Sequence, residues 1–204
     1  MHPAARAGTV IYWLALVAWI GGLIAAAVAA PSVFGALGDL PVTIESFDAY
    51  PHLEHGRLAA GMVMERVFWI VDLIQFVAAP VVAATLVVQL VAAGPRFRAP
   101  SNLVRTICIV GAALLLAYRA AALAPTMNRE LRAYWQAAEA GRVEVARAHR
   151  DRFNEDHPTA RTILGASLVL LLVAVGASAA ATGPGTAPRV ASGVEPPELL
   201  RRRR

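Results

Sequence analysis

Lysine is absent from the chain: all 19 basic residues among its 204 are arginine. With the abundance of alanine, glycine and valine, this reads as a coding bias rather than a functional choice. Cysteine occurs once, at Cys108, which excludes a disulfide scaffold and any C-x-x-C redox or zinc motif. Charged residues make up only 16% of the chain, against about 25% in soluble domains, so the bulk of it is not a solvated, disordered polymer. The formal net charge of +5 comes with no basic run interleaved with aromatics, so no nucleic-acid partner is expected. Catalytic signatures are missing as well: there is no G-x-S-x-G, no H-E-x-x-H and no phosphate-binding glycine loop. Serine is scarce, and Ser32, Ser46 and Ser167 have no evident base beside them. The expectation is a protein that is not an enzyme and carries no cofactor.

Apolar residues, at 57%, exceed the usual share of about 45–50% and fall in blocks too long for a soluble core. A bilayer core of ~30 Å needs about 20 helical residues. Four stretches reach that length, about 9–30, 67–93, 103–124 and 162–181. The predicted fold class is therefore all-α: a polytopic membrane protein of four transmembrane helices, with the lipid bilayer as its first partner. Residues 1–181 form the membrane domain, and 182–204 form a Gly-, Pro- and Ala-rich basic tail expected to be disordered. Ala27-Val28-Ala29 also reads as a signal-peptide cleavage site, but the length of the first apolar run, with Tyr12, Trp13 and Trp19, favours a retained helix. In that helix Gly21, Ala25 and Ala29 fall four apart, as do Gly22, Ala26 and Ala30, giving small-residue faces for homo-oligomer or partner-helix contact. Arg6, Arg96, Arg98 and the terminal Arg201–Arg204 place both termini in the cytoplasm by the arginine rule, in a cell (inner) membrane. The third loop, with seven arginines from Arg129 to Arg161, argues the other way.

Outside the bilayer, Pro31 is expected to open the first loop and helix to resume near Pro51, with a kink at Pro80. Leu131, Tyr134, Trp135 and Ala138 lie on one helical face. Beyond Gly141, Val145, His149 and Phe153 recur every four residues, with Arg147–Asp151 and Arg152–Asp156 as supporting i,i+4 pairs. Pro158 suits the first turn of the fourth helix. These features predict an extramembrane helical hairpin between spans 3 and 4, near the headgroups.

Ionisable residues within a span are expensive and point to function by default. Asp72 lies about five residues inside the second span and Arg119 about five from the end of the third. The two spans run antiparallel, so an ion pair between them is geometrically reasonable, either as a structural pin or as a polar site. Gln75 and Tyr118 stand beside it, and Glu65 and Arg66 at the mouth of the span extend the site or mark the helix end. His52 and His55 form an H-x-x-H pair, and His149 and His157 lie at the ends of the hairpin on the same side of the membrane. They are the only metal candidates, and imidazoles at i, i+3 suit copper or zinc.

The order of landmarks resembles the transmembrane protein 205-like family, a four-helix membrane domain of unknown function. Gly22 followed by Pro31, Phe34 and Leu37 is similar to that family's G…P-x-x-F-x-x-L. Ala60-Gly61 with Phe68 matches its A-G and later F. Pro125 with Met127, and Phe153 with His157, resemble its P-x-M and F-x-x-x-H. The resemblance spans roughly residues 10–180, with departures at Glu65, Pro158 and Leu164. It implies a role in small-solute or metal transport or tolerance. The alternative is a non-catalytic accessory or scaffold protein that binds partner helices.

Overall fold

The computed structural model describes residues 3–94 and 98–182; the basic tail beyond 182 and Arg96 lie outside these. The described residues form helices and short turns, with no strand. Helix α1 (Pro3–Leu37) leads through 3₁₀ turns at Glu45–Phe47 and His52–Glu54 into α2 (His55–Ala93). Then come α3 (Pro100–Tyr118), a π-helical segment (Arg119–Leu123), α4 (Ala124–Glu139) and α5 (Val143–Thr182). Four rods are long and apolar enough to cross a membrane, and the protein is a multi-pass membrane protein. Helix α1 packs chiefly on α2, and α3 on α5, while smaller contacts join α1 to α5 and α2 to α3. Helices consecutive in the chain are thus neighbours in a closed ring.

Three prolines that would each end a soluble helix do not end these. Helix α1 runs through Pro31 to Leu37, so Pro31 does not open the loop. A proline withholds only one N–H, and in a bilayer an ended helix would expose many more. The Ser32 hydroxyl also donates to the Val28 carbonyl (2.8 Å). Helix α2 continues through Pro80. Pro158 does not start a new helix either, because α5 is one 40-residue rod with Pro158 inside. At 1.5 Å per residue α5 extends about 60 Å, twice the bilayer core of ~30 Å. Its first half must therefore stand outside, as must the first turns of α2 and all of α4.

Two separate cores follow from this division. The membrane core joins Tyr12, Leu16, Trp19 and Leu23 of α1 to Val82 and Leu86 of α2, Ile109, Ala112 and Leu116 of α3, and Leu171 and Ala174 of α5. The outward faces of all four rods remain apolar, with Leu14, Val17, Trp69, Val77, Val88, Ile107, Leu114 and Val169 exposed. A chain that hides polar residues at its centre and shows apolar ones outward has lipid as its solvent.

The second core is a cap outside the bilayer. Phe47 and Tyr50 of the first loop, Leu58 of α2, Tyr134, Ala137 and Ala138 of α4, and Ala146 of α5 close on one another. Leu131 and Trp135 pack against it, so the face expected on α4 is the one buried. On α5 the buried position is Ala146, whereas Val145 is exposed. The tight α4–α5 turn ends in Gly141 at φ 66°, with Arg142 N–H bonded to Ala137 O and Gly141 N–H to Ala138 O, a Schellman cap. A Cβ on Gly141 would lie 2.9 Å from that of Ala49, so this turn seats directly on the first loop. The arginines of α5 do not form the expected i,i+4 pairs. Arg147 bonds Glu144 (2.9 Å), Arg150 reaches Glu54 of the first loop (3.5 Å), and Arg152 lies 3.9 Å from Glu130 of α4. Pairs between elements tie the cap together.

Candidate functional site

Asp72 and Arg119 form an ion pair across α2 and the π-helical segment. Arg119 is 8% exposed and Gln75 only 1%. Gln75 sits one turn beyond Asp72, and its Nε2 donates to Asp72 Oδ1 (3.4 Å). Its Oε1 in turn accepts from Trp19 Nε1 of α1 (3.3 Å). A connected polar chain therefore runs from α1 through α2 to Arg119, at the depth where the membrane core gives way to the cap. Gln75 can do this because its amide is both donor and acceptor; a leucine there would leave Trp19 N–H unpaired. The Arg119 Nε has no partner among the described residues.

The backbone at Arg119 is as unusual as its side chain. Residues Arg119–Leu123 follow an i→i+5 pattern, with the Ala124 N–H reaching Arg119 O. π-segments are rare and concentrate at functional sites. Here the segment re-phases the α3 rod between membrane and cap, so that Leu116 and Arg119 both face inward while α4 presents Tyr134 and Ala138 to the second core. Tyr118 points away and is 53% exposed; it does not join the site. Glu65 is half-buried and Arg66 exposed, and neither bonds to the Asp72–Arg119 pair.

The four histidines do not converge. His52 and His55 have ring centroids 5.0 Å apart, but His55 is fully buried and both of its nitrogens are used. Its Nδ1 accepts from the Ile44 N–H (3.1 Å) and its Nε2 donates to Tyr50 O (3.1 Å). A neutral imidazole so engaged holds the first loop in shape and offers no lone pair to a metal. His149 Nδ1 is 2.7 Å from Glu130 Oε2. That hydrogen bond, with the nearby Arg152 and Arg129 charges, holds the Glu130 carboxyl below its usual range. His157 stacks at 5.6 Å on Phe153. Among the described residues no three of His, Cys, Asp and Glu come together.

A second polar cluster occupies the opposite end of the bundle. Arg105 of α3, 6% exposed, donates from Nη1 to Gln89 Oε1 of α2 (2.9 Å). Its guanidinium lies 5.6 Å from the centroid of the Tyr12 ring. The Tyr12 hydroxyl bonds Ser178 of α5 (2.9 Å), whose hydroxyl also bonds Ala174 O (2.7 Å). Tyr12 and Trp19 sit two turns apart on α1, so one helix face serves both clusters, with Leu16 dry between them.

A family model described as "Domain of unknown function (DUF4149)" matches residues 14–133, more than half of the chain. The chain belongs to the DUF4149 family. No curated protein and no solved structure matches it. The DUF4149 match takes in Trp19, Asp72, Gln75, Gln89, Arg105 and Arg119, and ends within α4. Tyr12, His149, His157 and Ser178 fall outside it.

Reading the DUF4149 chain as a sequence identifies Asp72, Gln75 and Arg119 but overlooks Trp19, Tyr12, Gln89 and Ser178. Arg105 counted only as a charge near a span end. Gln89 was the available signal, being with Gln75 one of two glutamines within an otherwise apolar α2. Polar amides in a span are retained for interhelical bonds, and each of them reaches an arginine cluster.

Proposed function

We propose that this DUF4149 protein is a non-catalytic, multi-pass protein of the inner membrane that binds a small polar solute at the Asp72–Arg119–Gln75 cluster, in transport or tolerance. One observation carries the reading: a buried ion pair seated on a π-segment, with a guanidinium N–H still lacking an acceptor. A solute carboxylate, phosphate or carbonyl would complete that arginine's hydrogen bonds. The transmembrane protein 205-like resemblance points the same way. The donor set favours a solute over a metal, because Asp72 already faces a guanidinium and His55 is spent on backbone.

The deciding experiment measures the melting midpoint of the detergent-purified protein against small solutes and metal ions, with Asp72→Asn in parallel. A solute that raises the midpoint of the wild type but not of the variant supports the reading. If no solute raises it, and Asp72→Leu with Arg119→Leu melts at or above the wild type, the pair is a structural pin.

A second reading, as a scaffold or homo-oligomer, draws on one face of α1. Gly22 and Ala26 are buried against α2, where a Cβ on Gly22 would meet Ile74 at 3.5 Å. That small face is consumed within the chain. Gly21 and Ala25 remain exposed to lipid, so a partner helix would dock there.

A further inference from the structure

The two ends of the bundle differ completely in the sign of their charge. No acidic residue occurs in α1, in α2 beyond Asp72, in α3 with the π-segment, or in α5 beyond Asp156. Every carboxylate of the described residues therefore belongs to the cap half. The opposite end carries Arg6, Arg98 and Arg105, and α3 begins there with no acid in its first turn.

Arg105 is the informative one. It is buried, always protonated, and has no carboxylate within its half of the molecule. Its partners are the neutral Gln89 Oε1 and the face of Tyr12. Two buried donors remain without acceptors, Arg105 Nε and Gln89 Nε2. The hydroxyl of Tyr12 is engaged with Ser178 and does not supply one. A buried cation that is neither paired nor fully hydrogen-bonded costs several kcal/mol, and adjacent donors left empty add to that cost.

We infer that Arg105 and Gln89 form an anion site that takes a phosphate-type oxyanion from outside the chain. The position suits the phosphate of a phospholipid headgroup. Arg105 lies about 7.5 Å along α3 from Pro100, at 1.5 Å per residue, which is close to the end of the rod and within reach of the interface for a long side chain. The arginine fork matches two phosphate oxygens, Gln89 Nε2 offers a further donor, and the α3 N-terminus adds positive potential. Arg6 and Arg98 strengthen the field without contacting the anion. An anionic lipid held there would bridge α2 and α3, two helices that otherwise touch little.

The test uses the full chain in a neutral detergent and reads the melting midpoint. Three additives are compared: phosphatidylglycerol, phosphatidylcholine and inorganic phosphate. Phosphatidylglycerol is expected to raise the midpoint by roughly 5–10 °C at a hundredfold excess over its Kd, and phosphatidylcholine to leave it unchanged. Arg105→Gln should abolish the shift. A matching rise with inorganic phosphate would identify a free anion as the occupant instead of a headgroup, with the same chemistry at Arg105. Equal shifts in wild type and Arg105→Gln, or no shift with either anion, would overturn the site. Should Arg105→Gln not fold, Gln89→Leu serves in its place. It keeps the cation and removes one donor, so the shift should fall by about half, and an undiminished shift overturns the proposal.

Discussion

Arg105 and Arg119 sit on the same α3 rod, equally buried, and the chain answers them in opposite ways. Arg119 receives Asp72 as a counter-charge, Gln75 to orient that carboxylate, and a π-segment to bring its own backbone into phase. Arg105 receives an amide oxygen and an aromatic face, and no acid. The difference follows the ends they occupy. The cap end is rich in carboxylates and closed by a second core, so its polar chain is completed internally. The other end has arginines only and lies open to whatever anion the surroundings supply.

The strongest way to break this comparison is to remove the one internal counter-charge. Asp72→Leu leaves Arg119 buried and unpaired and should cost about 3–5 kcal/mol of stability, read as an early melt in detergent. Adding Arg119→Leu should recover most of it. If the single variant is silent, the two arginines are equivalent and neither needs a partner. A smaller effect is expected from Gly22→Leu, which drives a side chain into Ile74 and Val71 of α2 and should cost about 1–3 kcal/mol by overpacking. Gly21→Leu, where an added Cβ meets nothing within 4 Å, should stay within about 0.5 kcal/mol. A change in oligomeric state with Gly21→Leu alone would show that the lipid face of α1 carries a partner.

Two further measurements sharpen the view of the cap as an independent core. Gly141→Ala forces a Cβ into the left-handed region and against Ala49. It should cost about 1–2 kcal/mol, with hydrogen exchange rising in the first loop and the α4–α5 turn but not in the spans. The smallest effect concerns Glu130, whose carboxyl is held low by its hydrogen bond to His149 and by Arg152 and Arg129. A carboxylate with a depressed folded value stabilises above its unfolded value and loses that contribution as pH falls through the folded one. Stability should therefore decline below about pH 4.5, the ordinary carboxylate value. His149→Ala should make that loss begin at higher pH, as seen in melting midpoints across an acid series.

Much of this was legible in the chain, and the reasons are specific. The four apolar blocks fix the number of spans because a bilayer imposes a minimum length. The Leu131–Tyr134–Trp135–Ala138 face is a local 3.6-residue pattern, and it is the one buried in the cap. The prolines misled, since the rules for Pro31 and Pro158 come from helices ending in water. The histidine pair misled for another reason. Spacing shows that two imidazoles are close but not that backbone groups of Ile44 and Tyr50 already occupy His55. Arg105 was visible as a charge, yet its burial depends on which way Tyr12 and Gln89 turn.

By itself, then, the sequence determined the solvent, the count of helices, the polarity of the two ends and the pairing of depths that lets Asp72 meet Arg119. These depend on composition and on regular rise per residue, which need no knowledge of neighbours. Only the tertiary structure decided that Trp19 closes the chain to Gln75 and that Gly22 faces inward while Gly21 faces lipid. It also decided that a π-segment turns Arg119 into the bundle, and that Arg105 ends without a carboxylate. Each of these is a question of rotation about a helix axis and of contact between segments far apart in the chain, and a single added residue in a helical turn is enough to change the answer.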